Sequence, residues 1–242
     1  MLGLSLGLSL SKTAAAIEFD PVSLFVSGET GAYYDFGDAS TVFSQIEGES
    51  PTTPTSNGNV LGTVLDLSGN GNHAAAPSVF NRPDWFSDGY AQFAAIGSDY
   101  LRAAFTFNQT VTIIASIRLT ESFSASAISG RTAMTLYQSS AGQLSLVGGG
   151  SALGTISFTT GEDFVVAFRA SGATSRLSKN GGAYVTGTNP GTDAFGGLTL
   201  GADVSGMNFS DMRLYRFIAV GRDLTDNEIL AGEAWCQAGI PA

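Results

Sequence analysis

Cysteine and histidine are nearly missing from this sequence, with Cys236 and His73 the single examples of each. One cysteine excludes an intramolecular disulfide, and the two residues cannot assemble a Cys/His zinc site within one chain. Charge is scarce too, at 13% Asp, Glu, Lys and Arg against roughly 25% in an average soluble domain. What charge there is leans acidic, 21 Asp and Glu against 11 Lys and Arg, for a net of −10. That balance lacks the basic footprint by which proteins hold nucleic-acid phosphates, so no nucleic-acid partner is expected. No stretch reaches the roughly 18 consecutive apolar residues of a bilayer-spanning helix, and membrane insertion is not expected either.

Glycine, by contrast, is abundant at 31 residues, and 43% of the chain is hydrophobic. The apolar share is ample for a core, which argues against disorder. A chain poor in Lys and Glu and rich in Gly, Ser and Thr reads as many short strands joined by tight turns. At 242 residues a single sandwich or barrel is a natural size, and length alone does not force two domains.

Residues 1–16 differ from the rest. Leu2, Leu4, Leu6, Leu8 and Leu10 recur at period two with Gly and Ser between them, which is a strand pattern. Ala14 to Ala16 would suit a signal-peptide cleavage site, but no positive charge precedes the apolar run and Lys12 follows it. An uncovered strand with one leucine face is an aggregation hazard. It is read here as an assembly arm that docks on a neighbouring subunit, implying a homo-oligomer, with an ordinary edge strand as the alternative. Residues 17–242 are read as one sandwich domain.

Along that domain, Asp38 is placed to cap a short helix with Val42, Phe43 and Ile46 on one face. Residues 49–59 are a loop, and Val60 to Leu65 a strand. Val111 to Leu119, Met134 to Leu136, Leu144 to Leu146, Ile156 to Phe158 and Phe164 to Phe168 continue as strands. Asn180-Gly181-Gly182 signals a hairpin. Leu198 to Leu200 and Met212 to Val220 complete the series. Thr225 to Glu228 form a capping box that opens a C-terminal helix, with Ala231, Ala234, Trp235 and Ala238 as its packing face. The expected fold class is all-β: an antiparallel β-sandwich with a short C-terminal helix.

Two stretches carry a family resemblance. Asp66-Leu67-Ser68-Gly69-Asn70-Gly71-Asn72-His73-Ala74 resembles a turn of the concanavalin A-like, laminin-G-like jelly-roll domains. Asp211 to Arg216, followed by Leu224 to Ile229, resembles the last strand of that fold and the acidic segment after it. This architecture hosts lectins, glycosidases, adhesion modules and capsid proteins alike. The string from Gly31 to Gln45, with the Thr/Pro loop, the Asp66 turn and Asn81-Arg82-Pro83, is similar to bacteriophage and prophage structural proteins. That similarity implies a protein of the virion surface.

Candidate chemistry is sparse. Glycosidases of this fold resemble one another in a strand of closely spaced acids, and a retaining pair stands about 5 Å apart. The ExDxxE spacing of such strands does not occur here; Glu162 and Asp163 are adjacent, and Asp35 and Asp38 flank a turn. His73 lies in a turn sequence that explains itself structurally. Cys236 is read as a small buried residue. Calcium is the one cofactor considered, held by Asp66, Asn70 and Asn72 at a sandwich rim, although those oxygens equally suit the turn's own backbone. For sugar binding, Trp85 between Asp84 and Asp88 is the best stacking candidate, with core packing as its competing role. The combined expectation is a non-enzymatic virion structural protein, such as a head decoration, head fibre or tail-fibre component, with other virion proteins as partners. The second reading is an adhesin module for host surface polysaccharide, and a depolymerase ranks below both.

Overall fold

The computed structural model describes residues 19–46, 52–54, 56–107, 110–120, 124–130, 134–140, 142–148, 151–187 and 197–242. The leucine arm from Leu2 to Leu10 lies outside them.

Short strands come first: β1 (Gly31–Asp35), β2 (Val42–Phe43), β3 (Asn59–Val60) and β4 (Thr63–Val64). β5 (Ala74–Ala75), β6 (Asp84–Phe86), β7 (Tyr90–Phe93) and β8 (Leu101–Ala103) follow. Longer strands then take over, with β9 (Val111–Leu119), β10 (Ala125–Ser129), β11 (Thr135–Ser140), β12 (Gln143–Gly148) and β13 (Ser151–Ser157). β14 (Asp163–Ala170), β15 (Arg176–Lys179), β16 (Leu198–Leu200) and β17 (Met212–Val220) lead into the helix α1 (Asp226–Ala238).

Among the described residues these strands form two antiparallel sheets. The eight-stranded sheet runs β15-β14-β9-β17-β7-β6-β3, with β1 also on β17, and the nine-stranded sheet runs β13-β12-β11-β10-β16-β8-β5-β4-β2. The expected sandwich with a C-terminal helix is therefore the fold of this chain. A bulge at Tyr215 marks the place where the free edge of β17 changes partner, from β7 below it to β1 above it.

The inner faces meet in one apolar core that includes Tyr34, Phe36, Phe93, Phe107, Phe164, Phe168 and Phe217. The outer face of the eight-stranded sheet is covered as well. Leu24, Phe25, Tyr33, Ile114, Val165, Ile218, Leu224, Ile229 and Cys236 form a second apolar layer beneath α1 and the 3₁₀ turn Pro21–Phe25. That cover explains why β9 reads as a nearly continuous apolar run instead of alternating, as any strand buried on both faces must. Tyr33 and Tyr34 are accordingly both buried, on opposite faces of β1.

Three local expectations change. Val42 and Phe43 are strand, pairing with Val64 and Thr63, while the Asp38 carboxylate accepts the Ser40 N–H within a turn instead of capping a helix. β-branched Val42 suits the ladder better than a helix start. The single strand expected from Val60 to Leu65 is two, because β3 pairs in one sheet and β4 in the other. The chain crosses between sheets at Leu61-Gly62, where a Cβ on Gly62 would stand 2.2 Å from the Gln45 carbonyl carbon. On α1 Trp235 packs against the sheet as expected, but the buried face is Ile229, Gly232, Glu233 and Cys236, with Ala234 and Ala238 exposed. Ile114 and Ile218 of the sheet fill the space above Gly232, so the helix turns that side inward. The capping box is present as expected, Thr225 accepting from the Glu228 N–H and Glu228 from the Thr225 N–H. In the hairpin, Asn180 and Gly181 both take positive φ, as a type I′ turn requires.

The crossing at Gly62 gives a stability prediction. Gly62→Ala should cost about 2–4 kcal/mol, since only backbone can yield there. Urea denaturation would show it as a lower midpoint at unchanged slope.

Candidate functional site

The Asp66 turn is densely hydrogen-bonded. Asp66 is buried, and Oδ1 accepts the N–H groups of Tyr33 (3.1 Å) and Ser68 (2.9 Å). Oδ2 accepts the Ser68 hydroxyl (2.8 Å) and the Asn72 N–H (2.9 Å). The Leu67 N–H donates to the Tyr33 carbonyl (3.0 Å), and the amides of Asn70 and Asn72 both donate to the Gly31 carbonyl. The three residues considered for calcium are thus together, but their polar groups bind β1 and the turn itself. Among the described residues no group of three or more His, Cys, Asp or Glu is placed to hold a metal ion.

At the end of this turn, His73 Nδ1 accepts the Asp66 N–H at 3.0 Å. The neutral ring therefore carries its proton on Nε2. His73 and Asn72 line a cleft of about 670 Å³. Its floor is the face of the nine-stranded sheet turned away from the core. Ladder partners there share one row, Thr63 beside Ala75, Ala75 beside Arg102, Arg102 beside Thr199, and Thr199 beside Ser129. Ile46, Ala76, Pro77 and Val204 add apolar walls. Among the described residues that line it there is no Asp or Glu, although the chain holds 21 of them.

Arg102 is the cation of the cleft. One Nη donates to the Val204 carbonyl at 2.6 Å, and the guanidinium sits 4.9 Å from the centroid of the Tyr100 ring. None of the ion pairs among the described residues includes it.

The residues considered for sugar stacking are not assembled. Trp85 is only 5% exposed, belongs to the inter-sheet core, and donates its indole N–H to the Phe36 carbonyl (2.9 Å). The expected stacking face is thus buried: Trp85 and exposed Asp84 take opposite faces of β6. Asp88, in the turn between β6 and β7, lines a separate depression of about 350 Å³ with Asp35, Asp38 and Arg216.

Glu162 and Asp163 are neutralised rather than poised. Glu162 pairs with Lys179, while Asp163 pairs with Arg118 and accepts the Tyr215 hydroxyl at 2.5 Å. Burial alone would raise the Asp163 carboxyl, but the Arg118 and Tyr215 hydrogen bonds prevail and hold it low. Burial, then that same hydrogen bond, pushes the Tyr215 hydroxyl up to about 12. Cys236 is fully buried, and burial pushes its thiol well above the ordinary range.

Sequence reasoning passed over Asp99. Burial, helped by the nearby charges of Asp84 and Asp211, raises it from 3.8 to about 6 despite the Ala94 N–H it accepts. Asp211 accepts the next amide, Ala95 N–H, at 2.7 Å. The two carboxylates grip consecutive amides of one turn, which gives them a structural task away from the cleft.

No protein-family model matches the sequence, and no curated protein matches it. Solved structures do. A GH54 α-L-arabinofuranosidase superposes with a TM-score of 0.63 at 13% identity, over 89% of this chain and 66% of that one. A Trypanosoma rangeli sialidase gives 0.61 at 13% identity, over 88% of this chain and 34% of that one. The same sialidase in complex with sialic acid gives 0.59. The chain thus spans about a third of the sialidase and about two-thirds of the arabinofuranosidase. At this identity the likeness establishes the sandwich fold. It also corrects the expectation of a non-enzymatic virion protein, because the architecture is shared with carbohydrate-processing enzymes.

Two predictions follow from these geometries. Asp66→Ala strands the donors of Tyr33, Ser68 and Asn72 together and should cost on the order of 3–5 kcal/mol by chemical denaturation, with Asp66→Asn retaining part of the loss. For Asp99, the folded state holds a proton that the unfolded chain releases between pH 3.8 and about 6, so stability falls as pH rises through that window. Asp99→Asn should therefore raise Tm relative to the native chain more at pH 7 than at pH 4. Equal differences at the two pH values would remove the shift.

Proposed function

We propose that this chain acts in enzymatic carbohydrate processing, with the cleft beside His73 as the seat of a saccharide. The cleft is the observation that carries this reading. Its volume lies within the roughly 300–1,000 Å³ typical of small-ligand sites. The lining joins the two kinds of surface that a sugar ring needs. Ala75, Ala76 and Pro77 offer apolar contact for C–H groups, and Asn72, His73, Arg102 and Thr63 supply hydrogen-bonding side chains. The fold shared with the arabinofuranosidase and the sialidase supports the same substrate class. Hydrolysis by two carboxyl groups would draw on residues beyond those described as lining the cleft.

Ala75 lies on the cleft floor, in the row between Thr63 and Arg102, so Ala75→Trp should fill it. The test is retention of the chain in affinity gels cast with a panel of plant and bacterial polysaccharides, read beside release of reducing ends. Retention by the native chain should fall by about tenfold in the variant, a loss of roughly 1.4 kcal/mol, while Tm stays level. If no polysaccharide retains the native chain and no reducing ends appear, the proposal fails.

A further inference from the structure

The cleft is unusual for where its charge sits. In a chain with a net charge of −10, its described lining carries one arginine, one histidine and no carboxylate. Six other cations are matched: Arg118 to Asp163, Arg169 to Asp223, Arg176 to Asp226, Lys179 to Glu162, Arg216 to Asp35, and Arg222 to Glu29 and Glu228. Among the described residues Arg82, Arg102 and Arg213 are left without one, and of these three Arg102 lines the cleft. A carboxylate does stand nearby in sequence, since Asp203 precedes the Val204 carbonyl that holds Arg102. Its oxygens are spent within their own loop, on the N–H groups of Ser205 (2.8 Å) and Met207 (2.9 Å) and on the Asn208 amide (2.8 Å).

We infer that the saccharide taken by this cleft bears a carboxylate, as a uronate or sialate does, and that Arg102 pairs with it. This inference rests on the saccharide reading of the cleft. The Val204 carbonyl and the Tyr100 ring hold the guanidinium at the wall, so little side-chain freedom is lost when an anion arrives. Its planar array of N–H donors matches the two oxygens of a carboxylate, and charge-assisted bonds of this kind are about twice as strong as neutral ones. His73 adds a donor at Nε2, because Nδ1 already accepts the Asp66 N–H. The absence of competing acid in the described lining lets a local positive site exist on an acidic protein.

Isothermal titration calorimetry of the 242-residue chain tests the assignment. The probes are oligogalacturonate, oligoalginate and oligosialate, each beside its methyl ester, together with neutral arabino- and xylo-oligosaccharides and dextran sulfate. The expected result is binding of at least one acidic oligosaccharide, weakened about tenfold or more by esterification and by Arg102→Gln, with Arg102→Lys in between. Esterification leaves the protein untouched, so the comparison stands even if a variant folds poorly. Equal affinity for acid and ester, or binding confined to neutral or sulfated glycans, overturns the role of Arg102 while leaving the saccharide reading intact. Binding of none of the probes overturns both.

Discussion

One carboxylate ties the two sheets together at the end where the cleft opens. Asp66 stands in the loop between β4 and β5, which belong to the nine-stranded sheet, yet it accepts from the backbone of β1 in the eight-stranded sheet. The loop then runs beside β1, where the Leu67 N–H donates to the Tyr33 carbonyl and the Asp66 carboxylate accepts the Tyr33 N–H. A buried carboxylate with this many donors is satisfied only if all of them arrive together. The turn therefore has essentially one conformation, and that conformation delivers Asn72 and His73 to the cleft. Their placement is a by-product of joining the sheets.

The sandwich built around that joint is asymmetric. The eight-stranded sheet is wrapped on both faces, by the opposite sheet and by α1 with the 3₁₀ turn. The nine-stranded sheet turns a face of Thr, Ser, Ala and Arg away from the core, with the cleft at one end. The proposed saccharide cleft and the helix-covered surface thus belong to different sheets.

Much of the architecture was legible in the residues. The apolar runs of β9 and β14, the Asn180 hairpin and the Thr225 capping box are local signals, and local signals survive folding. The first sixty residues of the domain were harder to read, because β2, β3 and β4 span two residues each and a pair of residues has no periodicity. Which sheet each one joins depends on partners far along the chain. On α1 Trp235 was read correctly but the alanines beside it were not, for a related reason: Gly232 looks neutral in sequence and comes close to the sheet only when Ile114 is opposite it. The site was the least legible part. Trp85 is marked by composition as a sugar platform, but its indole N–H has a buried carbonyl within reach. Arg102 has no motif at all: it stands out only because of what does not surround it.

The two rows of a strand such as β8 answer to different demands. Leu101 and Ala103 belong to the core and are constrained by its packing, whereas Arg102 between them faces the cleft, held by the Val204 carbonyl and the Tyr100 ring. Exchange of an outward residue changes what the cleft recognises and leaves the packed interior alone. The outward row of such a scaffold can therefore vary while the skeleton stays the same, because packing constrains only the inward row.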